Sequence, residues 1–276
     1  MASAATHSQR AALRDGTLAG AGVVFAGLLL ALVAVALVGL LAHRPASATP
    51  WWFFAELQRA VVRQALVVSL ESTLVSAIVI LVCGTPLALL LSRRFPGREL
   101  LETFVSLPVV LPPVVAGLAL LLAFGRNGLL GHALAIAGIH ISFTLIAVIM
   151  AQTLVAAPLY VIAATNAFQR IDPELVDAAA TLRASFTYTA WRVIIPPALP
   201  ALGAALALAW ARALGEFGAT ITFAGNLPGV TQTMPIAVYI EGQDDLDAAV
   251  AISLILLLVS FVVLAGARMM QSRVTE

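Results

Sequence analysis

Apolar runs of about the length of a bilayer crossing, nearly free of charge, recur along this chain between short polar stretches. A helix needs about 20 apolar residues to cross about 30 Å of hydrocarbon. On that measure residues 16–42, 66–92, 103–125, 141–165, 196–223 and 248–268 predict six transmembrane helices. The first run has 27 residues and follows Arg10 and Arg14. It exceeds the 7–15-residue apolar core of a signal peptide, so it is expected to stay as an anchor. The predicted architecture is all-α and membrane-embedded, one transmembrane domain over 16–270 with short segments 1–15 and 271–276 outside it.

Arginine placement predicts the orientation, because positive loops stay in the cytoplasm. With the N-terminus inside, cytoplasmic pieces hold ten arginines: 10, 14, 93, 94, 98, 170, 183, 192, 268 and 273. The outer loops then hold four, Arg44, Arg59, Arg63 and Arg126, and Arg212 lies within a span. Both termini are therefore expected in the cytoplasm. Residues 224–247 form an arginine-free outer loop carrying Glu241, Asp244, Asp245 and Asp247.

Composition narrows the function. With 61% hydrophobic and 11% charged residues and a net charge of +1, the chain is neither a soluble enzyme nor a nucleic-acid binder. All fifteen basic residues are arginine, so no Walker lysine exists to reach nucleotide phosphates, nor a lysine for a Schiff base. The single cysteine, Cys83, excludes an intrachain disulfide. His7, His43, His132 and His140 lack metal-ligand spacing, and no nucleophile–base set is visible. No cofactor or metal is expected in this chain.

Pro86, Pro108, Pro112, Pro113, Pro158, Pro196, Pro197 and Pro200 interrupt four of the spans. Proline frees backbone carbonyls, which in a bilayer need a neighbouring helix or water in a cavity. Packing kinks and a lined pathway are both compatible with this pattern. Arg212 and Glu216 are four residues apart and share a helix face, about 22 Å along from Pro197 for Arg212 at 1.5 Å per residue. They are either a mutually neutralising structural pair or, with Gly215 and Gly218, part of an outer gate, where Thr220 or Thr222 could meet the pathway. Glu71 is expected to face Arg59 or Arg63.

The polar stretch 166–195 separates spans four and five. Asp172, Pro173 and Glu174 are an N-cap, an N1 proline and a first-turn acid, predicting a short helix rich in small residues. A second helix is expected from Thr187 to Pro196. The pair is either a surface cover or a docking element for a soluble partner.

Here the residues resemble the permease subunits of bacterial ABC importers. Their pattern Glu-Ala-Ala-x-x-x-Gly-x9-Ile-x-Leu-Pro has the spacing of Asp177-Ala178-Ala179 to Val193-Ile194-Ile195-Pro196, and the likeness extends over about residues 65–265. The departures are Asp177 for glutamate, Arg183 for glycine, Val193 for isoleucine and Ile195 for leucine. The glycine permits a left-handed turn that is costly for arginine, so either the turn differs here or another residue takes it. Residues 211–223 and 224–235, with the run Leu107-Pro108-Val109-Val110-Leu111-Pro112-Pro113-Val114-Val115, resemble molybdate permeases more narrowly.

The resemblance implies a coupling helix at this loop, with Asp172, Glu174, Asp177, Ala178, Ala179, Thr181, Leu182, Arg183 and Ala184 at the docking surface. It also implies a homodimer in the bacterial cytoplasmic membrane, two ATPase subunits that bind ATP and Mg, and an extracytoplasmic molybdate-binding protein. Molybdate is the expected cargo, with tungstate, sulfate or thiosulfate as alternatives. An ion-driven secondary transporter is the rival class, but the chain has no clear internal repeat.

Overall fold

The computed structural model describes residues 2–43 and 52–272, and for the side chains of 2–21, 267, 268 and 270–272 nothing is described. Arg44 and the tail 273–276 thus lie outside the described residues, as do the side chains of Arg10, Arg14, His7 and Arg268. No strand occurs among the described residues.

The chain divides into two units, Met1–Thr49 and Pro50–Glu276. The first holds α1, a single helix Ala2–Ala42 that begins well before residue 16. Its apolar part, Gly22–Ala42, exposes Val23, Phe25, Leu29 and Leu32, as suits a helix surrounded by lipid.

In the second unit α2 is Trp52–Leu57 and α3 is Ala60–Leu91. The expected third span is instead two helices, α4 (Arg98–Val110) and α5 (Pro113–Phe124), bent by 112°. The residue before a proline avoids the helical region. Leu111 precedes Pro112 and Pro112 precedes Pro113, so both are driven extended, at ψ 133° and 134°. The short α6 (Gly131–Ile136) leads to α7 (Leu145–Gln169), which lies along α3. Gly84 of α3 lets Tyr160 of α7 approach: a Cβ there would sit 2.9 Å from the ring. The Tyr160 hydroxyl also bonds Thr85 Oγ1 at 2.6 Å, so this polar group is satisfied in an otherwise apolar seam.

α8 (Pro173–Thr181) and α9 (Phe186–Thr189) follow. The second helix of this loop does not stop at Pro196. A π turn, Ala190–Ile194, joins α9 to α10 (Ile195–Leu214), making one helical run over Phe186–Leu214. Ile195 N–H reaches back five residues to the Ala190 carbonyl. This wider turn relieves the clash that Pro196 and Pro197 would make with a tight preceding turn, and neither proline has an N–H to leave unpaired. The expected fifth span breaks at Gly215, beyond which α11 covers Gly218–Ala224. The region expected as a plain loop, 224–247, contains α12 (Met234–Asp244), and α13 (Leu246–Ser272) closes the unit.

Among the described residues five helices are long and apolar enough to cross a membrane, and six crossings result if the bent α4–α5 pair is one. The main core is the seam of α3, α7 and α10, where Ile80, Tyr160, Phe168, Ile194 and Leu202 are buried among alanines. Alanine at so many contacts lets the helices pack closely where no hydrophobic driving force separates them from lipid.

Candidate functional site

Two regions gather the residues singled out in the sequence. The first is the α8–α9 hairpin. Asp172 accepts the Glu174 N–H at 2.9 Å, and Pro173 opens α8, as its sequence predicts. The helix ends in a Schellman closure: Arg183 N–H donates to the Ala180 carbonyl at 2.9 Å, and Ala184 N–H to the Ala179 carbonyl at 3.0 Å. This geometry requires a left-handed residue, and Arg183 takes it at φ 57°. The turn is therefore the one that a glycine would make, held here by arginine against the sequence expectation. Ser185 then caps α9 through Tyr188 N–H at 3.2 Å.

Asp172, Glu174, Asp177, Ala178, Thr181, Leu182 and Arg183 are exposed, Leu182 by 83%. Ala179 is buried and Ala184 half-buried, so these two serve the hairpin's own packing. One contact was invisible in the sequence: the Arg93 guanidinium, just beyond α3, lies 4.1 Å from the centre of the Phe186 ring and ties the hairpin to that helix end.

The second region lies where α10 gives way to α11. Arg212 Nη1 donates to Glu216 Oε2 at 2.7 Å across the end of α10. The other carboxylate oxygen, Oε1, accepts the Ala219 N–H at 2.8 Å and so caps α11. Glu216 is 1% exposed, while the Arg212 side chain is 34% exposed. Gly218 and Gly117 permit α11 to lie against α5: a Cβ on Gly218 would meet Pro113 Cβ at 2.8 Å, and one on Gly117 the Ala219 carbonyl at 2.6 Å. Gly215 meets nothing closer than 3.7 Å. Thr220 is fully buried and its hydroxyl has no partner, and the Thr222 hydroxyl is spent on the Gly218 carbonyl at 2.8 Å. The Thr220 hydroxyl is thus left unpaired in a buried place, while that of Thr222 is satisfied on its own helix.

Comparison with known proteins identifies the family. Residues 80–276 match the family described as the binding-protein-dependent transport system inner membrane component. The chain belongs to that family. This permease is 44% identical over 216 residues to the molybdenum transport system permease protein ModB of Mycobacterium tuberculosis, covering 78% of this chain and 81% of that one. It is also 35% identical over 269 residues, 96% of each chain, to the sulfate transport system permease protein CysT of Escherichia coli. Among solved structures, a bacterial ABC transporter involved in the import of the acidic polysaccharide alginate shares its fold, with TM-score 0.73, 18% identity, and coverage of 92% of this chain and 96% of that one. The permease is thus an inner-membrane transport component that does no catalysis itself, and no cluster of metal-ligating side chains occurs among its described residues.

A buried polar seam in the permease escaped the sequence reading. Ser69, Ser72, Thr73 and Ser76 sit at i, i+3, i+4 and i+7 on α3, a helical polar stripe within an apolar span. Gln152 of α7 donates to Ser72 Oγ at 3.1 Å and accepts from Ser76 Oγ at 3.1 Å. Ser69 Oγ accepts the Met234 N–H at 2.7 Å and so anchors the start of α12. The spacing was the available signal. A second bracket ties α2 to α12 and the start of α13. Arg59 bonds Glu56 and Asp245 at 2.8 Å each and Glu241 at 3.3 Å, and not Glu71. The Ala248 N–H first, then Arg59, hold the Asp245 carboxyl below the usual carboxylate range.

Proposed function

We propose that the chain is the membrane-spanning subunit of an ATP-driven importer for molybdate, with both termini in the cytoplasm. The likeness to ModB carries this reading: identity over the matched part is higher than to the sulfate permease, 44% against 35%. Two copies form the pathway at their interface. Two separate ATPase subunits bind ATP and Mg, since this chain has no lysine with which to hold a nucleotide phosphate. An extracytoplasmic binding protein delivers the anion.

The α8–α9 hairpin is the coupling element. Its exposed acids and Leu182, on a helix closed at both ends, favour a rigid knob that an ATPase groove can grip. For the nucleotide cycle to move the bundle, the ATPase must bind the two states of the hairpin unequally. The residues around Arg212, Glu216, Gly215 and Gly218 form the gate.

Sulfate is the second reading, favoured by the likeness to CysT along nearly the whole chain. The test is reconstitution of the chain with an ATPase and a loaded binding protein in proteoliposomes. Molybdate should stimulate ATP hydrolysis and accumulate inside. Stimulation by sulfate and not molybdate would overturn the cargo, and uphill uptake without any ATPase would overturn the importer class.

A further inference from the structure

We propose that Arg212 is the side chain that the transported oxyanion touches, and that Glu216 is its positioning residue; this rests on the reading of the chain as a pathway subunit. Along α10 each residue turns the face by about 100°. Ala198, Leu202, Ala205, Ala209 and Ala213 make the buried stripe. On one flank Leu199, Gly203, Leu206 and Trp210 line an apolar groove with Leu74 and Val263, a surface suited to hydrocarbon. Arg212 falls on the opposite flank, in line with the exposed Ala201 and Leu208.

A charge turned toward lipid costs at least about 2.5 kcal/mol, so the exposed third of this side chain faces water or a second copy. The small residues beside it leave room there. Both oxygens of Glu216 are engaged, one by Arg212 and one by the Ala219 N–H, and the carboxylate lies buried behind the guanidinium. A cargo anion therefore meets the arginine and not the acid. One guanidinium nitrogen is held by Glu216, and the fork keeps further N–H donors of the kind that pair with oxyanions. The carboxylate offsets the arginine's charge, so the anion is greeted and then released, as passage requires.

The test uses the complete complex with ATPase and binding protein, and molybdate as the probe. Arg212→Gln combined with Glu216→Gln should keep insertion and assembly with the ATPase subunits while maximal molybdate uptake falls at least tenfold. Glu216→Gln alone leaves α11 capped but frees the arginine's charge, so half-inhibition of uptake by sulfate should shift at least threefold lower, which a loss of stability would not produce. Arg212→Cys with Glu216→Gln, in a Cys83→Ser background, gives a charge-specific reading. A cationic thiol reagent should restore uptake and an anionic one should not. Equal effects of the two reagents, or unchanged uptake in the double glutamine variant, would overturn the proposal while the importer reading stands. Absence of oxyanion uptake by the unmodified complex would instead defeat the importer reading.

Discussion

Arg183 holds a backbone conformation that most residues avoid, and it does so on the surface. With φ 57° and an exposed side chain, the residue spends about 1 kcal/mol of backbone strain that glycine would not. Arg183→Gly should therefore raise the stability of the detergent-solubilised protein by about 1 kcal/mol, read from its unfolding transition. An unchanged or lower transition would mean that the guanidinium compensates elsewhere. Gly117 is the opposite case. A methyl group there points at the Ala219 backbone carbonyl, which cannot swing aside, so Gly117→Ala should destabilise by about 1–3 kcal/mol. At Arg183 the sequence left open whether the turn differs or another residue takes it, and the structure keeps the turn on the arginine itself. Gly117 carries no sequence mark, because its need arises from a helix a hundred residues away.

At the scale of elements, the bracket of Arg59 with Glu56, Glu241 and Asp245 joins α2, α12 and the approach to α13. Because the folded Asp245 carboxyl titrates below its ordinary range, its contribution is present above about pH 4 and is lost as the pH falls through the lower folded value. The difference in melting temperature between the natural protein and Arg59→Gln should thus be constant from about pH 6 to 8 and shrink below about pH 4. A difference that grows with acid would contradict the bracket. The α4–α5 bend is written in the sequence as two consecutive prolines, yet length and hydropathy, which mark a span, are blind to direction. The helix through Pro196 shows the converse: a proline pair that reads as a stop is absorbed by one π turn.

For the whole molecule, the hairpin prediction separates docking from folding. Ala178 is exposed and Ala179 is buried on the same short helix. Ala178→Trp should leave insertion and melting unchanged while molybdate uptake by the assembled complex falls at least tenfold. Ala179→Leu should lower the yield of folded protein as well, because overpacking a buried position costs about 1–3 kcal/mol. Full uptake by the Ala178 variant would remove the hairpin from coupling. The two alanines are indistinguishable in sequence, since each is a small residue in a small-residue run.

Composition and apolar run length determined that the chain is a helical membrane protein, and the lack of lysine that it has no Walker loop. Local residue patterns likewise determined the α8 cap and the four-residue link of Arg212 to Glu216. These follow from interactions within a few residues of each other or from solvent preference alone. Only the tertiary structure decided that Glu216 is hidden while Arg212 emerges, that Thr220 is buried, and that α3 and α7 share a buried polar seam. Those outcomes depend on which faces the packed helices cover, and a face is covered by residues remote in the chain.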